Sequence, residues 1–228
     1  SITQTFEANE DGLYILGNVL IGYDENVFDP SQPLVIEEGI EYIANEAFRN
    51  VGLTSVTFPS TLKVIGYEAF YDNNLTTINF PANMVAIQVG AFNENPLDSV
   101  SFSGIDDLMY VSQLSFDLRL FEKIEGAFKI INGILFMYEG LEDDLIIPSD
   151  VKMLAEGFLR YEWYPLILGR HVFNTVTIPG TVEKLSDGAF YDSSISTLIF
   201  SEDSDLFFPT QAFIYSLIAR IEFNGSMT

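Results

Sequence analysis

Short runs of alternating polar and apolar residues recur along the chain at a fixed interval. Thr54-Ser55-Val56-Thr57-Phe58-Pro59 is one such run, with Val56 and Phe58 expected to point inward and Ser55 and Thr57 outward. Ile78-Asn79-Phe80-Pro81 and Val100-Ser101-Phe102 repeat it, and Pro59 and Pro81, lacking an N–H, are expected to end their strands. Between these runs the pair Ala-Phe returns every 22 residues, at Ala47-Phe48, Ala69-Phe70 and Ala91-Phe92. An isoleucine stands five residues before each Phe (Ile43, Ile65, Ile87), and a leucine five after it (Leu53, Leu75, Leu97). The stretch from Ile65 to Phe70 carries apolar residues at helix-like intervals. It is too short for an independent helix and predicts one or two tight turns. Gly66, Gly90 and Gly188 suit the bends around such turns.

The second half restates the pattern. Gly188-Ala189-Phe190 and Gln211-Ala212-Phe213 lie 23 residues apart, and Gly157-Phe158 is a degenerate earlier copy. Val176-Thr177-Ile178-Pro179, Leu198-Ile199-Phe200 and Ile221-Glu222-Phe223 supply the strand-like runs. A larger duplication encloses these units: Gly17 to Tyr23 is similar to Asn132 to Tyr138, and Leu34-Val35-Ile36 to Leu145-Ile146-Ile147-Pro148. The chain therefore divides into a first repeat block, 1–105, a connector, 106–119, with room for a short helix, and a second repeat block, 120–228. The interval from Phe158 to Phe190 is 32 residues where 22 is the rule, so an insertion of ten lies within Leu159 to Phe173.

One such unit cannot bury its own apolar edge, but a stack of them can. Stacking aligns the short strands into parallel sheets and the phenylalanines into an internal ladder. The fold class expected is an α/β repeat solenoid of short parallel strands and short helical turns, in two repeat blocks, with the phenylalanines in the core.

At this level of detail the residues resemble a specific family. Ile65-Gly66-Tyr67-Glu68-Ala69-Phe70 followed by Leu75-Thr76-Thr77-Ile78-Asn79-Phe80-Pro81 is similar to the BspA-like leucine-rich repeat, and the preamble Asn132 to Tyr138 before Ile147-Pro148 resembles it too. The resemblance extends over some four-fifths of the chain. It implies a leucine-rich-repeat array from a bacterial surface or secreted protein, a family also present in protozoan parasites and associated with adhesion to host proteins or other cells. Fold alone does not fix the ligand.

Composition narrows the chemistry. Of 228 residues, 33 are Asp or Glu and 10 Lys or Arg, a net charge of -23. Such a surface repels phosphate backbones and anionic lipid, which argues against nucleic-acid and membrane-surface partners. It suits solubility in extracellular fluid, or attraction of a basic partner. The absence of cysteine removes disulfides, thiolate zinc sites and cysteine nucleophiles together. No apolar run reaches the roughly 18 residues of a membrane span, so no membrane insertion is expected within this fragment. The chain begins at Ser1 with no leader pattern and is expected to be a processed piece of a longer protein.

No catalytic constellation is visible. His171 is the one histidine, no Gly-x-Ser-x-Gly or phosphate loop occurs, and the acids lie in short exposed runs typical of solvated faces. The chain is expected not to be an enzyme and to need no cofactor. Calcium is the one ion to consider, with Glu202, Asp203 and Asp205 the best cluster, although no calcium-loop spacing is present.

Two surfaces compete as binding sites for an extracellular protein or a glycan. One is the sheet face, where alignment stacks Ser55, Thr77 and Ser99 in one column and Thr57, Asn79 and Ser101 in another. The other is the insertion, where Arg160, Tyr161, Trp163 and Tyr164, followed by Arg170 and His171, are of the types enriched at binding hot spots. The function expected is an extracellular or cell-surface binding module mediating adhesion or protein–protein interaction. A structural spacer and a glycan-binding module are the alternatives.

Overall fold

The structure, a computed structural model, describes residues 7–159, 171–201, 206 and 208–224. It forms two compact units, Ser1–Lys123 and Ile124–Thr228.

In the first unit the strands are β1 (Leu13–Leu16), β2 (Val19–Tyr23), β3 (Leu34–Val35), β4 (Tyr42–Ile43), β5 (Val56–Thr57), β6 (Val64–Ile65), β7 (Thr77–Phe80), β8 (Ala86–Ile87), β9 (Ser99–Phe102) and β10 (Tyr110–Val111), followed by helix α1 (Leu118–Glu122). The antiparallel hairpin β1–β2 opens the stack, and β4, β6, β8 and β10 add to it in parallel, giving a sheet ordered β1-β2-β4-β6-β8-β10. On a second side of the coil, β3 pairs with β5 and β7 with β9, both in parallel. Each coil thus visits two sides in turn, and the unit is a solenoid.

In the second unit β11 (Phe128–Ile131), β12 (Ile134–Tyr138), β13 (Asp144–Ile146), β14 (Met153–Leu154), β15 (Val172–Ile178), β16 (Lys184–Leu185), β17 (Ser194–Phe200) and β18 (Leu217–Phe223) repeat the arrangement. One sheet runs β11-β12-β14-β16 and the other β13-β15-β17-β18. Here three of the second-side strands are seven residues long, so the sheet is broader than its two-stranded counterparts in the first unit.

The core follows the period. Leu20, Ile43, Ile65, Ile87 and Val111 point inward from successive strands and are buried. The predicted phenylalanine ladder is present: Tyr23, Phe48, Phe70, Phe92 and Phe116 stack ring on ring at 5.8, 5.5, 5.2 and 5.9 Å. Phe190 stacks on Phe213 at 5.2 Å in the second unit. Ladders at this spacing add aromatic contact to simple burial. The inward residues of β7 and β9 are buried, whereas Val56 and Phe58 are only half-buried.

The segment 106–119 supplies one more coil. Val111 pairs with Ile87 and Phe116 bridges to Phe92, each 24 residues on, so two extra residues hide the period from a search at 22. A short 3-10 turn at Gln113–Ser115 and α1 complete it. Ser112 and Asp117 cap the two by accepting from the backbone N–H of Leu114 and Arg119.

These are the helical elements among the described residues. After β6 ends at Ile65, residues 67–70 form a turn in which Phe70 N–H donates to Ala91 O at 2.8 Å, as Phe48 N–H does to Ala69 O. Two left-handed residues shape each such turn, two before and two after the Phe: Glu46 and Asn50, Glu68 and Asp72, Gly90 and Glu94, Gly188 and Asp192. Gly90 and Gly188 serve as bends in this sense. Gly66 has another reason: a Cβ there would lie 2.6 Å from Asn45 N, so its role is close approach of neighbouring coils.

Candidate functional site

The outward faces of the second-side sheets carry hydrogen-bonded polar side chains in both units. In the first unit the pairing register sets Thr77 opposite Ser99 and Asn79 opposite Ser101. Their side chains touch: Ser99 Oγ donates to Thr77 Oγ1 at 3.3 Å and Ser101 Oγ to Asn79 Oδ1 at 2.6 Å. Alternation forces this, because Ile78, Phe80, Val100 and Phe102 occupy the core side of the same strands. Thr57 belongs to the neighbouring ladder, where it sits opposite the exposed Val35, and Ser55 offers its carbonyl to Leu34 N–H at 3.2 Å. Of the sequence-derived column, then, Asn79 and Ser101 are in direct contact and Thr57 lies in the adjoining pair.

In the second unit the register builds two longer rows. One runs Asp144, Thr175, Thr197, Arg220; the other runs Ile146, Thr177, Ile199, Glu222. Asp144 Oδ1 accepts from Thr175 Oγ1 at 2.7 Å and from Asn174 Nδ2 at 2.8 Å. These bonds, Thr175 foremost, hold its carboxyl below the usual aspartate range. At the other end Arg220 and Glu222 form an ion pair that ties the rows together. Ile146, two residues from Asp144 on the same edge strand and opposite Thr177, is 71% exposed. Asp144, Asn174 and Ile146 were not among the residues singled out from sequence. The signal was available in the run Asp144 to Ile147, whose outward members follow once Leu145 and Ile147 are assigned to the core.

Of the insertion residues, His171 is described. It is half-buried at the start of β15, with its ring edge-on to Phe173 at 4.4 Å and its Nε2 3.8 Å from Asp143 Oδ1. Arg160, Tyr161, Trp163, Tyr164 and Arg170 lie outside the described residues, as do Glu202, Asp203 and Asp205. Among the described residues no group of three His, Cys, Asp or Glu side chains is placed to hold a metal ion, and no helix is long and apolar enough to cross a membrane.

Compared with known proteins, residues 30–142 and 169–228 match the family model described as the BspA type leucine rich repeat region, in six copies. No curated protein matches the chain. Solved structures similar to it include two leucine-rich repeat proteins. One is a leucine rich cell surface protein from Faecalibacterium prausnitzii, 17% identical over 86% of this chain with a TM-score of 0.35. The other is a leucine-rich repeat protein from Eubacterium ventriosum, 17% identical over 96% of this chain with a TM-score of 0.31. The chain spans 60% and 69% of their respective lengths.

Proposed function

The chain belongs to the BspA-type leucine-rich repeat family, and from that premise we propose that it is a surface-displayed binding module whose outward sheet faces take a protein ligand. One observation carries this reading: the register of the second unit sets the exposed Ile146 opposite Thr177 and beside Asp144, whose carboxylate is held by hydrogen bonds of its own. An apolar anchor within a polar surround is the make-up of a protein-binding patch. The polar groups are already held by Asp144–Thr175 and Asp144–Asn174 bonds, so a ligand would meet side chains whose ordering cost is largely met on folding. The rows run across parallel strands about 4.8 Å apart, a repeat that suits an extended partner. Display at the cell surface, and adhesion as its purpose, rest on the family resemblance.

The test is a screen of the whole chain against immobilised extracellular-matrix proteins and a glycan array, with Ile146→Arg and Trp163→Ala alongside. The expected result is a protein hit lost in Ile146→Arg while thermal stability is retained. A hit lost only in Trp163→Ala would move the site to the insertion. A hit confined to glycans would favour the carbohydrate reading, and no hit at all would favour a spacer.

A further inference from the structure

The first unit carries a second surface, on the side of the coil away from the serine and threonine columns. Leu16, Val19, Tyr42, Val64, Ala86 and Tyr110 stand opposite one another in register across all six strands of its large sheet. Their chain neighbours Leu20, Ile43, Ile65, Ile87 and Val111 point into the core, so this column points out. It contains no charged or hydrogen-bonding side chain other than the two tyrosine hydroxyls. Leu16 and Tyr42 are exposed, Val19, Val64 and Tyr110 are half-exposed, and Ala86 is buried. The small Val64 and Ala86 between the two tyrosines make a saddle about 14 Å long, three strand spacings.

Both rims of the stripe are acidic. Glu41 and Asp107 precede the strands, and Glu46 and Glu68 follow them. Two bases stand among these, and each is already engaged: Lys63 with Glu41 at 2.9 Å, and Arg49 with Glu68. Those pairs cancel the charges of Glu41 and Glu68, so Asp107 on one side and Glu46 on the other leave net negative charge on either side of an apolar track. That combination fits one occupant, a segment whose apolar side chains lie along the saddle while its cationic side chains reach the rims.

We infer that this stripe is a docking site for an extended, positively charged amphipathic segment of a partner protein. The site is separate from the sheet faces discussed above and does not depend on them. The apolar column sets the position, and the acidic rims select against acidic and uncharged competitors.

The experiment measures fluorescence anisotropy of a short peptide of alternating lysine and valine with the whole chain at physiological salt, and of a glutamate–valine peptide of equal length. Two variants of matched charge are compared, Val64→Glu on the stripe and Asn79→Glu on the other sheet face. Both make the protein more acidic, so general attraction to a cationic peptide would rise equally in both. The expected outcome is saturable binding of the lysine–valine peptide, weakened about tenfold by Val64→Glu, the loss of one packed aliphatic group, and unchanged or tightened by Asn79→Glu. Tyr42→Ser, at an exposed position, should weaken it too and serves if Val64→Glu fails to fold. Equal binding by the two glutamate variants, equal binding of the glutamate–valine peptide, or no saturable binding would overturn the inference. Loss of the sheet-face ligand in Ile146→Arg would leave this result unaffected.

Discussion

The side-chain amide of Asn73 donates to the carbonyl oxygen of Phe48, one coil earlier, at 2.7 Å. The same nitrogen reaches Phe70 O, and the amide oxygen accepts from the backbone N–H groups of Val51, Gly52 and Leu53. Asn95 repeats the arrangement one coil on, accepting from Leu75 N–H and donating to Phe70 O and Phe92 O. Both are buried. In the second unit the equivalent Ser193 and Ser216 donate to Phe190 O and Phe213 O of their own coils. The asparagines therefore satisfy backbone groups that the irregular turn leaves without strand partners, and they do so across the coil boundary.

Replacing Asn73 with alanine strands several buried backbone groups at once. Each carries a desolvation cost of about 1–3 kcal/mol, so a loss of about 3 kcal/mol or more is expected. Urea unfolding of the variant checks this. A loss below about 1 kcal/mol would mean that water or a rearranged turn replaces the amide.

Phe70 lies fully buried between Phe48 and Phe92, and Phe223 is 49% exposed on the last strand described. Phe70→Ala should cost about 3–5 kcal/mol as a core cavity. Phe223→Ala keeps its stacking loss against Phe200 but creates no enclosed cavity, and should cost about 1 kcal/mol. Parallel denaturation curves of the two variants test the contrast, and similar losses would contradict the ladder as the stabilising element.

Asp117 caps α1 by accepting from Arg119 N–H at 2.9 Å and holds the Arg119 guanidinium at 2.7 and 2.6 Å. The Arg119 side chain, first among the causes, holds the Asp117 carboxyl below the usual aspartate range. A folded-state pKa below the unfolded value means that the carboxylate stabilises the fold above about pH 4 and that this is lost as pH falls through the folded pKa. Asp117→Asn keeps a capping oxygen and removes the charge, so it should cost about 0.5–1 kcal/mol at pH 7, the scale of an ion pair whose partner is solvent-exposed. The gap between variant and wild type should narrow below pH 4. A gap independent of pH would show that the carboxylate charge is not what stabilises the fold here.

The stack was legible because its determinants are periodic. Phe48, Phe70 and Phe92 at one spacing, and the alternation at Ile78-Asn79-Phe80, state which residues face inward. The coil through Val111 and Phe116 was hidden by two added residues, which break a fixed-interval search but not the pairing. Asn73 and Asn95 were overlooked because an asparagine beside a turn reads as an exposed turn former; only the fold shows backbone groups converging on it. The column from Leu16 to Tyr110 was hidden for a different reason. From Tyr42 onward its members occupy strands of two residues, too short to show alternation, and they mix aliphatic with aromatic side chains. Ile146 lies in a run of apolar residues, and its outward direction follows only once Leu145 and Ile147 are assigned to the core.

Two glycines separate backbone conformation from coil spacing. Gly17 has φ of 62° with nothing within 4 Å of an added Cβ, so Gly17→Ala meets only the cost of a left-handed alanine, about 1 kcal/mol. Gly66 has no left-handed φ, yet an added Cβ would stand 2.6 Å from both Asn45 N and Asn45 Oδ1 and 2.8 Å from the carbonyl carbon of Ala44. Those atoms are mostly backbone of the preceding coil and cannot turn aside, so the coils must separate. Separation there weakens the Gly66 N–H to Ile43 O bond, now 2.9 Å, and loosens the Asn45 Oδ1 contact to Tyr67 N–H at 3.0 Å. Gly66→Ala should accordingly cost more than Gly17→Ala, about 2–3 kcal/mol, as overpacking in a close-packed stack. Hydrogen exchange at Gly66 and Tyr67 should accelerate in Gly66→Ala and not in Gly17→Ala. Equal stability of the two variants would show that neighbouring coils tolerate added volume at this point, and that the glycine is not what sets their approach.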